Sequence, residues 1–71
     1  MERTNANYTI IASAPLWAGK EVVIGHNPAA PEPWVCWFCT NGDSYDIGRY
    51  FSDYASAAKN FAGRIAAAFE N

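Results

Sequence analysis

The chain has 71 residues, of which 51% are hydrophobic and 17% charged. That length holds one domain over residues 1–71 with one small core, and that composition argues against disorder. The formal net charge is −2, with Arg3, Lys20, Arg49, Lys59 and Arg64 spread thinly, so the basic stripe of a nucleic-acid binder is missing.

Residues 1–6 read as a polar leader. Tyr8, Ile10 and Ala12 then alternate with Thr9, Ile11 and Ser13, the period of a first strand that Pro15 ends. Trp17-Ala18-Gly19-Lys20 reads as a turn, and Glu21-Val22-Val23-Ile24 supplies a second, β-branched strand stopped by Gly25. Three prolines between His26 and Pro33 impose an extended loop, because proline fixes φ and turns the preceding residue away from helix.

Trp34 to Thr40 and Ser44 to Phe51 form a third and a fourth strand around Asn41-Gly42, the residue pair best suited to a two-residue hairpin turn. A two-residue loop pairs Thr40 with Asp43, Phe38 with Tyr45, Cys36 with Ile47 and Trp34 with Arg49. Trp34, Cys36 and Phe38 then share one face with Tyr45, Ile47 and Phe51. Val35, Trp37 and Cys39 share the other with Ser44, Asp46, Gly48 and Tyr50; a loop of odd length swaps the partnership. Ser52 or Asp53 caps a helix over about 53–69. Its apolar stripe is Tyr54, Ala58, Phe61, Ile65 and Phe69, widened by Ala57, Ala62 and Ala66, with Lys59 and Arg64 off it. Gly63 within that helix marks a close approach of its backbone to the sheet. The expected fold is α+β, an antiparallel meander of three or four strands with one C-terminal helix packed on one face.

No catalytic constellation interrupts this pattern. Cys36-Trp37-Phe38-Cys39 has the spacing of a redox or zinc motif, but residues three apart on a strand point to opposite faces, and only His26 is at hand as a further ligand. The two cysteines therefore read as structural, one in the core and one on the outer face. His26 reads as a turn residue. Asp43, Asp46 and Asp53 lack the repeated carboxylates of a calcium loop, and Gly25, Gly42 and Gly48 do not make a phosphate loop. Gly48 sits beneath a bulky cross-strand neighbour or in a bulge. No enzyme activity, metal or cofactor is expected. With no signal-peptide run and nothing near the roughly 20 apolar residues of a membrane span, a cytoplasmic protein with reduced thiols is expected.

One helix covers one side of a sheet, which leaves Val35, Trp37, Cys39 and Tyr50 as an aromatic patch on the other. Three occupants compete for it. The Pro-rich loop or the N-terminal strand with Trp17 folds over it, a second copy of the chain makes a homodimer, or another macromolecule binds. In the last case Trp37, Tyr50 and Val35 make the contact, and Arg49 and Asp46 orient it.

Val23-x-Gly25-x-Asn27 through Ala30-Pro31, then W-x-C-x-x-G-x-x-Y-x-x-G-x-Y at Trp37, Cys39, Gly42, Tyr45, Gly48 and Tyr50, then Ala58-x-x-Phe61-x-x-Arg64, resembles small proteins of mobile elements and prophages in gut Firmicutes. The resemblance covers roughly residues 20 to 66, and Ile47 stands where those proteins carry a second tryptophan. Such elements encode inhibitors of host defence, anti-CRISPR proteins among them. The resemblance thus implies a protein partner such as a CRISPR nuclease or another defence protein, inhibited by occlusion of a surface. The competing reading is a nucleic-acid-binding accessory protein that stacks bases on exposed sheet aromatics, against which the weak positive charge counts.

Overall fold

Three tight turns, each with two consecutive residues at positive φ, set the architecture. Ala6-Asn7 (51° and 70°) joins β1 (Thr4–Asn5) to β2 (Tyr8–Pro15), and Ala18-Gly19 (51° and 79°) joins β2 to β3 (Lys20–His26). Asn41-Gly42 (55° and 79°) lies between β4 (Trp34–Thr40) and β5 (Ser44–Phe51). Left-handed pairs of this kind match the twist of antiparallel strands. The structure is a computed structural model and describes residues 2–70, so Met1 of the expected leader and Asn71 lie outside the described residues.

The strands form one antiparallel sheet in the order β1-β2-β3-β4-β5, followed by helix α1 (Tyr54–Ala68). The α+β meander with a C-terminal helix is as the sequence suggests, but it has five strands rather than three or four. The fifth comes from the polar leader, where Thr4 and Asn5 pair with Thr9 and Tyr8. β3 also runs on through Gly25 to His26, each residue paired with β4.

The hairpin of β4 and β5 departs from the expected register. Thr40 pairs with Ser44, not Asp43, so the loop has three residues, and Cys39 stands opposite Tyr45 and Phe38 opposite Asp46. Beyond Phe38 the ladder shifts by one further residue, because Ile47 and Gly48 together oppose Trp37; Cys36 then meets Arg49, Val35 meets Tyr50 and Trp34 meets Phe51. The odd loop and the one-residue bulge thus add to a shift of two, which restores the faces. Tyr45 and Asp46 exchange faces relative to the two-residue reading, while Tyr50 and Phe51 keep theirs. Ile47 holds φ of 53°, a left-handed conformation uncommon for a β-branched residue. A second bulge places Ile11 as the extra residue of β2, between Ile10 opposite Gly25 and Ala12 opposite Ile24.

Bulges bend and twist a sheet, and here the bending closes one face onto itself. β2 and β5 are three strand spacings apart, about 14 Å in a flat sheet. Yet the rings of Tyr8 and Tyr50 lie 5.9 Å apart. Tyr8, Val23, Val35, Trp37 and Cys39 form a buried cluster in this concave face, with Ile10, Tyr45 and Ala30 of the Pro-rich loop packed against it. The Tyr8 hydroxyl donates to the carbonyl of Glu32 at 2.8 Å and pins that loop.

Helix α1 takes the convex face, where Val22, Ile24 and Cys36 are fully buried with Ala57. Asp53 is its N-cap, with its carboxylate accepting the Ser56 backbone N–H at 2.8 Å. Phe61 and Ile65 are half-buried as the stripe requires, whereas Ala62 and Ala66 are exposed. Arg64 belongs to the inward side, contrary to the stripe reading: its guanidinium lies 4.8 Å over the ring of Phe38. Gly63 marks no close approach, since a Cβ there meets nothing within 4 Å.

Candidate functional site

The five expected contact residues divide between core and surface. Val35 is fully buried and Trp37 is 4% exposed, so neither belongs to an exposed patch. The chain covers this face itself, by the curl of the sheet that brings in Tyr8 and by Ala30 of the Pro-rich loop, while Trp17 takes no part and lies against Phe69. A sheet that bends around its concave side needs no second helix. Trp37 packs edge-on against Tyr8 (5.8 Å), Tyr45 (5.5 Å) and Tyr50 (6.4 Å). Its indole also needs glycine beneath it, since a Cβ on Gly48 would come within 2.7 Å of Nε1. Tyr50 is 44% exposed at the rim of the concave face, while Asp46 and Arg49 are exposed and stand opposite Phe38 and Cys36, on the helix side.

Arg3 closes the other end of that face. It donates to both carboxylate oxygens of Glu21 (3.1 and 2.6 Å), to the Tyr45 hydroxyl (2.9 Å) and to Cys39 Sγ (3.2 Å). Those hydrogen bonds from Arg3 hold the Glu21 carboxyl below the usual carboxylate range, and the same contact with Glu21 raises the guanidinium's own affinity for its proton. Cys36 lies on the opposite face, where burial pushes its thiol up and the charge of Arg64 acts the other way. The two cysteines are thus free thiols on opposite sides of β4, both buried, so the expected outer-face cysteine is also a core residue. Among the described residues no group of three His, Cys, Asp or Glu side chains is placed to hold a metal ion. No helix there is long and apolar enough to cross a membrane.

Exposed apolar surface gathers instead at the C-terminal end of α1. Trp17, Ile47 and Phe69 are 51%, 67% and 60% exposed, and Trp17 and Phe69 meet edge to face at 5.4 Å. Leu16, Trp17, Phe38, Ile47 and Ala68 line a cleft of about 310 Å³, with Lys20 and Asp46 at its margin. The turns of β2–β3 and β4–β5 support this end from below, joined where the Asn41 N–H donates to the Gly19 carbonyl at 2.8 Å. Asp46 is the one expected contact residue that lies here. Trp17 read as part of a turn and Phe69 as the end of a helix stripe, so neither signalled a surface. Ile47 read as a strand residue, and the bulge is what turns it toward solvent.

A second cleft, of about 540 Å³, lies between α1 and Phe51 at the end of β5, with Gly63 in its lining and Ser56, Lys59 and Asn60 among its polar groups. At its border Arg64 donates from Nε to Asn60 Oδ1 (2.8 Å) and from Nη2 to the Ile47 carbonyl (2.7 Å). Nothing in this groove brings a nucleophile, a base and an orienting group together as covalent catalysis requires. No family model matches the chain, and no curated protein or solved structure does.

Proposed function

We propose that this chain is a binding module without enzyme activity, and that the cleft framed by Trp17, Ile47 and Phe69 is its contact surface for another protein. The observation that carries this reading is that Trp17 and Ile47, each at least half exposed, line one cleft, with the equally exposed Phe69 edge-on against Trp17 beside it. Water-exposed apolar clusters of this kind raise the free energy of the isolated monomer and are relieved by a partner, with aromatic anchors supplying most of the gain. Lys20 and Asp46 at the margin give the contact orientation through charge. In biological terms, the resemblance to mobile-element proteins makes the partner a bacterial defence nuclease, inhibited in the manner of an anti-CRISPR protein.

The test is inhibition of purified RNA-guided nucleases of Firmicutes, with wild-type protein beside Trp17→Ala and Phe69→Ala. Inhibition by wild type that falls at least tenfold in both variants, with circular dichroism unchanged, supports the cleft. Inhibition that survives both substitutions removes the cleft from the contact, and absence of inhibition across the panel removes the nuclease. Affinity for single-stranded DNA that declines steeply with salt would favour the nucleic-acid reading instead.

A further inference from the structure

The two edges of the sheet are built differently. On one side β1 has only two residues, and the stretch of β2 beyond it carries the Ile11 bulge and ends in Pro15. Short length, bulges and proline are devices that discourage edge-to-edge pairing. On the other side β5 is eight residues long, contains no proline or lysine, and exposes six of its residues. Its own guards are the bulge at Ile47–Gly48 and the charges of Asp46 and Arg49, so this long edge is open to another strand only where that strand accommodates the bulge and answers the charges.

The sequence of that edge is complementary to itself. Placed antiparallel to a second copy about a twofold axis between Ile47 and Gly48, β5 sets Asp46 opposite Arg49, Tyr45 opposite Tyr50 and Ser44 opposite Phe51. In a regular strand residues three apart lie on opposite faces, so Asp46 and Arg49 could not meet in this way. The bulge removes the obstacle. Asp46 pairs with Phe38 and Arg49 with Cys36, both on the helix side, while Tyr45 and Tyr50 pair with Cys39 and Val35 on the concave side. The three pairs that flank the axis therefore each have both members on one face. Among the described residues the salt bridge is Arg3 with Glu21, so the charges of Asp46 and Arg49 are left to find partners elsewhere.

The geometry points to a symmetric homodimer formed by antiparallel pairing of β5 with β5 of a second copy, with two Asp46–Arg49 ion pairs flanking the axis. Main-chain hydrogen bonds supply the attraction and the charge pairs fix the register, the division of labour usual in strand addition. A closed twofold contact uses up both edges and stops growth at two chains. Asp46 and Ile47 belong both to this edge and to the cleft at the end of α1, so pairing of two copies and binding of a partner draw on the same residues, and sedimentation reads the first without the second.

Sedimentation equilibrium over a range of protein concentrations tests it. Wild type reaches twice the 7.8 kDa of the chain, Asp46→Arg and Arg49→Asp each weaken dimerisation by about tenfold or more, and the double reversal restores it. Both side chains are exposed, so circular dichroism separates lost pairing from lost fold. As a second reading of the axis, Ile47→Cys yields a covalent dimer on mild oxidation. Asp43→Cys, whose copies lie on the order of 30 Å apart in this pairing, does not. A wild-type protein that stays monomeric, or a dimer indifferent to both single reversals, overturns the proposal.

Discussion

Arg64 Nη2 donates to the backbone carbonyl of Ile47 at 2.7 Å, so a helix side chain holds the bulged residue of the edge strand. The same guanidinium stacks on Phe38 and bonds Asn60, joining α1, β4 and β5 at one point. Arg64→Ala removes two charge-assisted hydrogen bonds and a cation–π contact, and is expected to cost about 2–3 kcal/mol in urea unfolding. Arg64→Lys restores less than half of that, because an ammonium cannot serve Asn60, Ile47 and the ring face with one planar fork. An unchanged unfolding midpoint in Arg64→Ala would remove this residue as the tie between helix and bulge.

Ile47 stores strain in return. Its φ of 53° places a β-branched side chain where glycine sits without penalty, and the side chain is mostly in solvent. Ile47→Gly is expected to leave stability unchanged or raise it by up to about 1 kcal/mol, despite the added freedom of the unfolded chain. If the cleft is the contact surface, the same variant binds its partner less well, a separation of stability from function that unfolding and binding assays read independently.

Trp37 and Trp17 should behave in opposite ways. Trp37 lies under three tyrosines, and truncating it to alanine is expected to cost about 3–5 kcal/mol, enough to unfold a chain of this size. Trp17 shares one edge-to-face contact with Phe69, so Trp17→Ala costs about 1 kcal/mol. Thermal unfolding followed by far-ultraviolet circular dichroism distinguishes them, and a folded Trp37→Ala protein would contradict the burial described here.

How much of this was legible in the sequence follows from what each signal encodes. Alternation and β-branching located β2 to β5, the Asp53 cap and the apolar period located α1, and the loop prolines lie where three of them must. The first strand was hidden because Asn5-Ala6-Asn7 places alanine at φ of 51°, a conformation that composition does not advertise. The concave face was read as open for a different reason. A hydrophobic pattern shows which residues share a face, whereas the curl that buries Trp37 comes from two bulges, at Ile11 and at Ile47–Gly48, and only the second left a trace, in Gly48. Burying Trp37 moved the candidate surface to Trp17, Ile47 and Phe69, which lie far apart in the chain and share no period.

Glycine substitutions separate the two kinds of position. At Gly48 an added Cβ meets Trp37 Nε1 at 2.7 Å and Cδ1 at 2.9 Å, atoms of a buried ring that cannot swing aside. Gly48→Ala is expected to destabilise by about 1–3 kcal/mol. Gly63 lies exposed in α1 with no heavy atom within reach, so Gly63→Ala stabilises by about 1 kcal/mol through helix propensity alone. Urea midpoints moving in the same direction for both would contradict this contrast.

The Arg3–Glu21 pair gives stability a pH dependence with a defined sign. Arg3 lowers the folded-state affinity of Glu21 for its proton below the ordinary value of 4.5, so around that pH the unfolded chain binds more protons than the folded one, and stability rises with pH. The contribution is fully present above the ordinary value and is lost as pH falls through the lower folded one. Glu21→Gln abolishes this titration while its amide oxygen still accepts from Arg3. The stability gap between wild type and Glu21→Gln is therefore widest above the ordinary carboxyl value of 4.5 and closes as pH falls through the lower folded one. Both side chains are partly exposed, 33% for Arg3 and 18% for Glu21, so salt narrows the gap as well. A gap constant across this range would mean that Glu21 carries no more proton linkage in the folded chain than in the unfolded one, and that Arg3 holds the end of the concave face through Tyr45 and Cys39 alone.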